Sequence, residues 1–424
     1  QWPDEWIIRG NHHDAWVHGA SDPVSALVAM LEEARAIGSL TASGWRPRRT
    51  LVYAAWDGEE PGLLGSTEWV EAHQAVLKDK SVVYVNSDSN GRGFLSAGGS
   101  HTLEEFFGQI ARDVHDPLLG ISVAERARSR ALVHGTPQAQ ESAWERAEPH
   151  LSALGSGSDY TPFLQHLGIA SIHIGFGGES PGGSYHSLYD SFDHYTRFGD
   201  PGFAYGTALA QTGGRIMLRL AEADLLPFEF RNFGQTLAGY IGEIGKLVDS
   251  MRNETERLNR LINEGHFVAA SDPLAPHLPP AAQGPVRHLN TAPLHNALSS
   301  VQESAQSYAE TLESLGDFVD ALTIEQLHEL NGILLHSERA LVTDEGLPGR
   351  PWFKHQIYAP GFYTGYGVKT LPAIREAVEA RNWDLAGEQI VIVSEVLQRF
   401  AAQIDLATAI LMEARPVPDD PSVR

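Results

Sequence analysis

The sequence predicts an α/β domain followed by an all-helical domain. From Trp6 to about Phe228, short apolar runs rich in β-branched residues alternate with helical patterns, which is typical of a sheet with crossover helices. After Phe228 strand signals almost disappear, and long amphipathic segments take their place. The chain has 424 residues, enough for two separate cores. We therefore assign residues 1–228 to the α/β domain and residues 229–424 to the helical domain.

Strands and helices of the first domain follow from local patterns. Four strands are predicted, at 6–9, 50–56, 82–86 and 170–174. Helical spacing of apolar residues predicts helices at about 22–34, 67–77, 102–114 and 203–225. Asp22 followed by Pro23 is a typical helix start. The polar, irregular stretch from about 126 to 158 predicts a loop.

The second domain is predicted to contain only helices. Amphipathic patterns cover about 231–263, 294–314, 323–342 and 371–412, with Pro-rich linkers at 273–285 and 348–360. The first of these segments has an apolar stripe formed by Leu237, Tyr240, Ile241, Ile244, Leu247, Val248 and Met251. Because such stripes exceed what one half-domain needs to bury, we expect a homodimer.

Composition excludes several classes of function. The chain has no cysteine, which excludes disulfides and thiolate metal sites, so any metal must be held by His, Asp or Glu. A formal net charge of -23 opposes nucleic acid or an anionic membrane as the main partner. No apolar run approaches the roughly 20 residues that cross a bilayer, so no membrane segment is expected.

Candidate metal ligands follow three successive predicted strands. His12 and Asp14 come after the first strand, Glu59 and Glu60 after the second, and Asp88 after the third. Ligands in α/β proteins bind at the carboxyl ends of the strands, so these side chains should converge. Period-two alternation lets Asp14 orient the ring of His12. Taken singly, each residue could equally belong to a solvated turn.

Two further residues complete a set for two metal ions. Asp22 could be a helix cap or a carboxylate that bridges the ions, and His186 could be a loop residue or a ligand. Together with His12, Glu60 and Asp88, they supply a shared carboxylate, two histidines and two more carboxylates. Glu59 then remains as a general base toward metal-activated water. The donor types also suit manganese or cobalt.

Extended motifs resemble the glutamate carboxypeptidase II group of zinc exopeptidases, which includes the transferrin receptors. The resemblance covers nearly the whole chain. In the first domain it rests on the runs Gly10–Trp16, Asp22–Pro23, Gly44–Thr50, Trp56–Glu60, Gly62–Trp69, Gly155–Asp159, Leu167–Ser171 and Tyr185–Ser187. In the helical domain it rests on Gly346–Pro348 and His355–Pro360, which are similar to the family's dimerisation domain.

The resemblance implies a mixed-sheet exopeptidase domain that holds two Zn²⁺ ions and hydrolyses terminal peptide bonds. It implies that His12 and Asp88 bind one zinc, that Glu60 and His186 bind the other, and that Asp22 bridges them. It also gives Glu59 the role of general base and Tyr185 that of hydrogen-bond donor to the carbonyl oxygen. Gly157, Ser158 and Tyr366 would contact the peptide substrate, and Glu68 and Glu71 match part of a structural calcium site. An extracytoplasmic location is the family pattern.

Departures from the family pattern bear on the substrate. Where relatives that prefer acidic peptides have a Lys-Tyr pair, this chain has Gly365-Tyr366, although Lys369 nearby could partly replace the cation. Arginines that bind an acidic side chain align with Gly98, His173 and Gly175. Selectivity for acidic residues is therefore not expected. The first family strands and an apical insert are also missing before residue 1, so we expect a fragment or a sheet completed by another chain.

Two other functions remain open at this point. The same scaffold serves non-catalytic receptors, a path that loss of metal ligands would mark. An aminopeptidase, or an enzyme that hydrolyses non-peptide amides, would keep the same metal site and differ only in its pocket.

Overall fold

A five-stranded mixed sheet forms the centre of the first half. The computed structural model describes residues 1–146, 149–180, 182–275, 277–316 and 322–413. The strands are β1 Trp2–His12, β2 Arg49–Trp56, β3 Ser81–Asn86, β4 Gly93–Gly99 and β5 Ser171–Gly178, in the order β2-β1-β3-β5-β4. The pairs β1–β2, β1–β3 and β3–β5 are parallel, and β4 runs antiparallel to β5. The carboxyl ends of β1, β2 and β3 therefore lie at one edge.

Four of these strands match the predicted ones, and β4 was not predicted. Its sequence contains three glycines, Gly93, Gly98 and Gly99, which weaken any strand signal. A side chain would not fit at Gly99, where a Cβ would lie 2.3 Å from the carbonyl oxygen of Ser171. Glycine is thus needed here for close contact between β4 and β5.

The helices of the first half surround the sheet. They are α1 Ser25–Ala42, α2 Leu64–Ala72, α3 Gln74–Lys80, α4 Glu104–Asp113, α5 Val123–His134, α6 Pro137–Glu145, α7 Phe192–His194 and α8 Ala204–Glu222. The loop predicted at 126–158 is wrong for its first part, which α5 and α6 occupy. The side chains of Ser122 and Thr136 cap these two helices, a signal that the polar composition obscured. Residues 147–148 of that stretch lie outside the described ranges.

The second half is helical, as predicted, with one small addition. Its helices are α9 Arg231–Asn263, α10 His266–Ala269, α11 Ala292–Leu315, α12 Ile324–Leu335, α13 Pro372–Glu379 and α14 Trp383–Glu413. A two-stranded antiparallel hairpin, β6 Tyr358–Pro360 and β7 Val368–Thr370, was not predicted. The segment predicted at 371–412 is divided between α13 and α14. The predicted stripe of α9 buries Leu237, Ile241, Ile244 and Val248.

The two halves share one core. A single cluster of buried apolar side chains extends from the sheet through Phe228, Phe230 and Phe233 into the helices. The domain boundary at 228 stays a prediction, because packing is continuous across it. Within the described ranges, no helix combines the length and the apolar character needed to span a bilayer.

Candidate metal centre

Two histidines face the two oxygens of one carboxylate. His12 ends β1, and its Nε2 lies 3.2 Å from Oδ1 of Asp22. Nε2 of His186 lies 3.6 Å from Oδ2 of the same carboxylate. Asp22 does not cap α1, since no side chain accepts a hydrogen bond from the first turn of that helix. Its backbone N–H donates instead to Asp190 Oδ2 at 3.0 Å, which fixes the segment before α1.

Glu60 completes a compact group with Asp22 and His186. Its Oε2 lies 3.0 Å from His186 Nε2, and one ligand atom from each of the three residues lies within 4.8 Å of the others. The second carboxylate oxygen, Oε1, is buried and has no hydrogen-bond partner among the described residues. An unpaired buried acceptor of this kind fits a bound cation.

Asp88 follows β3, and its carboxylate is held by neutral donors. Oδ1 accepts hydrogen bonds from Ser158 Oγ at 2.8 Å and from Asn86 Nδ2 at 3.0 Å. Oδ2 lies 4.0 Å from Nδ1 of His173. These donors orient the carboxylate without neutralising it, which leaves its negative charge available to the cleft.

Asp14 orients the residues around it. Its oxygens accept the backbone N–H groups of Glu59 and Glu60, at 3.0 and 3.1 Å. His12 Nδ1 lies 3.1 Å from the main-chain carbonyl oxygen of Asp14 and 3.4 Å from its Oδ1, so the hydrogen bond predicted to the carboxylate goes to the backbone of the same residue. Glu59 is 8% exposed, and its Oε2 lies 4.0 Å from His12 Nε2. Asp14 thus orients the ring of His12 mainly through its main-chain carbonyl, and its carboxylate orients the turn that carries Glu59 and Glu60.

The electrostatics of the cluster fit divalent cations. Burial, and then the charge of Asp88, raise the pKa of Glu59 to about 9. Burial lowers the pKa of His12, but its hydrogen bond to Asp22 and the charges of Asp88 and Glu59 outweigh this and raise it to about 10. Repulsion between these carboxylates therefore favours either protonation or the binding of a cation. Imidazole and carboxylate donors in this number suit Zn²⁺.

A cleft of about 620 Å³ opens above this cluster. Gly157, Tyr185 and Tyr366 line it, as expected for substrate-contacting residues. Ser158 is 1% exposed and its hydroxyl is bonded to Asp88, so a contact between its backbone and substrate stays a prediction. It supports a candidate ligand and lies beneath the cleft surface.

Two tyrosines meet at the cleft rim. The ring of Tyr185 stacks on that of His186 with 3.6 Å between centroids. Burial and the proximity of Tyr366 raise the pKa of Tyr185 above its usual value, so its hydroxyl stays a donor. Tyr366 comes from the β6–β7 loop and packs on Gly157, where a Cβ would lie 2.5 Å from its ring. Gly157 also has a φ of +99°.

Sequence reasoning missed the cleft wall that the second half supplies. Trp352 and Phe353 line the cleft beside the first-half residues. Trp352 Nε1 donates to Oε1 of Glu71 at 2.6 Å, so one of the two carboxylates expected at a calcium site already binds an indole. The calcium site at Glu68 and Glu71 stays a prediction. No local pattern could have identified this contact, because Trp352 lies 281 positions from Glu71.

The cleft is acidic. Its lining in the described ranges contains four carboxylates and three imidazoles and no Lys or Arg; the seven are Asp22, Glu59, Glu60, Asp88, His12, His173 and His186. The suggestion that Lys369 replaces a missing cation is wrong. Its Nζ lies 2.6 Å from Oε1 of Glu379, and its side chain lines a separate pocket beside Phe362.

Two family models match the chain. Residues 1–199 match Peptidase family M28, and residues 289–405 match the Transferrin receptor-like dimerisation domain. A "Probable glutamate carboxypeptidase LAMP1" from Arabidopsis thaliana is 32% identical over 408 residues, which cover 93% of this chain and 51% of the relative. An "Aminopeptidase NAALADL1" from Mus musculus is 28% identical over 425 residues, 95% of this chain and 50% of the relative. The chain therefore spans about half the length of these curated relatives.

One solved structure shows a partial likeness. A zinc aminopeptidase from Bacillus subtilis matches 53% of this chain and 47% of its own, with 19% identity and a TM-score of 0.37. The similarity of this chain to known protein families is therefore judged from the two family models and the sequence relatives.

Proposed function

Since residues 1–199 belong to peptidase family M28 and residues 289–405 to the transferrin receptor-like dimerisation domains, we propose that this chain is a dinuclear zinc exopeptidase. One observation supports the dinuclear centre above all others. The two oxygens of Asp22 face two different histidines, His12 and His186, as a carboxylate shared by two ions must. The carboxylates of Glu60 and Asp88 lie on the same cleft floor.

In the proposed centre, His12 and Asp88 would hold one ion, Glu60 and His186 would hold the other, and Asp22 would contribute to both. When bound, the zinc ions supply Lewis-acid polarisation of the scissile carbonyl and lower the pKa of water. The main-chain carbonyl oxygen of Asp14 lies 3.1 Å from Nδ1 of His12, which would leave Nε2 to bind an ion. Ser158 and Asn86 fix the carboxylate of Asp88 in the same way.

In the proposed reaction Glu59 transfers the proton, and Tyr185 stabilises the negative charge that develops on the carbonyl oxygen. Glu59 Oε2 takes the proton of the attacking water and passes it to the leaving amine. The hydroxyl of Tyr185 donates a hydrogen bond to the carbonyl oxygen as negative charge develops there. The Tyr185 side chain lies on the cleft rim beside His186, where a peptide carbonyl would enter.

The lack of Lys and Arg in the described cleft lining favours attack at the amino end of a peptide. A terminal carboxylate is usually bound by Arg or Lys, and the described cleft lining contains neither. Of its four carboxylates, three are the proposed zinc ligands and the fourth is the proposed base, so they offer no further charge to a peptide terminus. We therefore propose aminopeptidase activity without preference for acidic side chains, and we place carboxypeptidase activity second.

Blocked peptides separate the two activities. The zinc-loaded chain is incubated with a neutral tripeptide that is free, acetylated at its amino end, or amidated at its carboxyl end. We expect the free and amidated peptides to be cleaved and the acetylated peptide to resist. The reverse pattern would indicate a carboxypeptidase. Failure to bind zinc together with failure to cleave any of the three would favour a non-catalytic receptor.

A further inference from the structure

A second group of metal-type side chains lies outside the cleft. His101 begins a short 3-10 turn after β4, Glu104 is the first residue of α4, and His150 precedes the bridge residue Ser152 in an irregular segment. One ligand atom from each of the three lies within 4.8 Å of the others. The group is independent of the proposed catalytic centre, since none of the three residues lines the cleft.

His101 has a buried nitrogen that lacks a partner. The residue is 1% exposed, and its Nδ1 lies 2.7 Å from the hydroxyl of Tyr358. Its Nε2 is buried and makes no hydrogen bond in the described part of the chain. Burial among the rings of Phe233 and Tyr240 disfavours the charged imidazolium, and in the tautomer that donates from Nδ1 to the hydroxyl of Tyr358, Nε2 offers a lone pair. Such a nitrogen, buried and unpaired, is stabilised by a bound ion that accepts its lone pair.

Glu104 is held as a metal-binding carboxylate usually is. It is 2% exposed, and its Oε1 accepts a hydrogen bond from Arg146 Nη1 at 2.7 Å. Its Oε2 accepts the backbone N–H of Leu151 at 2.9 Å and lies 2.7 Å from His150 Nδ1. These outer contacts orient the carboxylate toward the two imidazoles.

His150 is the adjustable member of the group. Its side chain is 44% exposed and lies on irregular backbone, and its ring centroid is 5.1 Å from that of His101. His101 and Glu104 are held by burial, so His150 is the residue that adjusts most easily when the group closes to bonds of about 2 Å. The exposed side of His150 also gives an ion a path from solvent.

We propose that His101, Glu104 and His150 bind a further zinc ion, with water as the fourth ligand. Two imidazoles and one carboxylate are donors that zinc accepts in tetrahedral sites, whereas Ca²⁺ and Mg²⁺ prefer oxygen ligands alone. Tyr358, which contacts His101, belongs to β6 in the second half. The ion would therefore tie the turn after β4, the start of α4 and the segment at His150 to one another, beside the contact of His101 with Tyr358.

Zinc content tests the site directly. The full-length double variant His12→Ala/His186→Ala removes the imidazoles of the proposed catalytic centre. After zinc loading and dialysis against metal-free buffer, we expect it to retain one zinc per chain by atomic emission. Adding His150→Ala should remove that zinc, whereas adding His295→Ala, which changes an exposed histidine on α11, should leave it in place.

The zinc measurements test this site separately from the proposed catalytic function. Equal zinc content with and without His150→Ala would overturn the site, whatever the catalytic centre does. Because His150 is half-exposed, its alanine variant should fold, and circular dichroism checks this. Glu104→Gln keeps the shape of the side chain and gives a second reading, which we expect to show at least a tenfold weaker zinc affinity. If the catalytic centre held no zinc at all, the wild-type chain would still retain one ion.

Discussion

Asp14 shows how much one residue outside the proposed ligand set can decide. Its carboxylate contacts the ring of His12 and both backbone N–H groups of the Glu59–Glu60 turn. Asp14 therefore orients two proposed ligands, His12 and Glu60, and the proposed base, Glu59. Partners of this kind usually affect metal affinity almost as much as the ligands themselves.

We predict that Asp14→Asn weakens zinc affinity about 10–100-fold. The amide retains one acceptor oxygen but turns an NH₂ group toward a backbone N–H of the turn, so one of the two hydrogen bonds is lost. Competition with a chromophoric chelator measures the affinity. Asp57→Asn is the matched control, because Asp57 is exposed and its side chain accepts only from the next residue, Gly58, among the described contacts. Equal affinities for both variants would contradict the role of Asp14.

The proposed base can be separated from the proposed ligands. We predict that Glu59→Gln lowers kcat about 10²–10⁴-fold, since the amide cannot accept the proton of water. Zinc content should stay at the wild-type value, because Glu59 is not assigned as a ligand. Steady-state kinetics and atomic emission on the same sample measure the two effects. Wild-type turnover by this variant would remove the role assigned to Glu59.

At the scale of elements, the site depends on contact between loops from both halves. Tyr366 in the β6–β7 loop packs on Gly157, and Ser156 N–H donates to the carbonyl of Tyr366 at 3.2 Å. We predict that Gly157→Ala displaces Tyr366 and raises KM, by about tenfold for each 1.4 kcal/mol of binding lost, with a smaller change in kcat. The positive φ of Gly157 adds a backbone cost of about 1–3 kcal/mol.

Gly182→Ala is the control for that prediction, because a Cβ at Gly182 would meet nothing within 4 Å. Kinetics with one peptide substrate compare the two variants. An unchanged KM for Gly157→Ala would show that the contact between the loops does not shape the substrate site.

Alanine substitutions at two helix glycines compare the gain in helix propensity with the cost of steric overlap. Gly38 lies in α1, and a Cβ added there would meet nothing within 4 Å, so Gly38→Ala should raise the free energy of unfolding by about 0.5–1 kcal/mol. Gly213 lies in α8, where a Cβ would be 2.2 Å from Oε2 of Glu33. Gly213→Ala should therefore lower the free energy of unfolding by about 1–3 kcal/mol. Urea unfolding followed by circular dichroism measures both, and equal shifts would argue against this account.

At the scale of the whole molecule, we propose a homodimer formed through the helical half. Residues 289–405 match a dimerisation domain, and α14 exposes apolar side chains at Val391, Leu406 and Met412. Exposed apolar surface of this kind commonly marks an interface. We predict that light scattering gives twice the chain mass of 46.2 kDa.

A pair of substitutions tests whether α14 forms that interface. Leu406→Glu places a charge on the exposed face of α14 and should shift the protein toward monomer. Leu274→Glu is the control, since Leu274 is 94% exposed outside the long helices. A monomeric wild-type chain at micromolar concentration would contradict the dimer.

The sequence by itself determined the alternation of strands and helices, the helical second half and the positions of the candidate ligands. These follow from local periods and from the rule that parallel strands end at one edge, where His12, Glu60 and Asp88 now lie. Only the tertiary structure decided that Ser158 donates a hydrogen bond to Asp88, that Trp352 lines the cleft, and that Lys369 pairs with Glu379. Such contacts join residues distant in the chain, and their free energy comes from packing and charge pairing that no local pattern encodes.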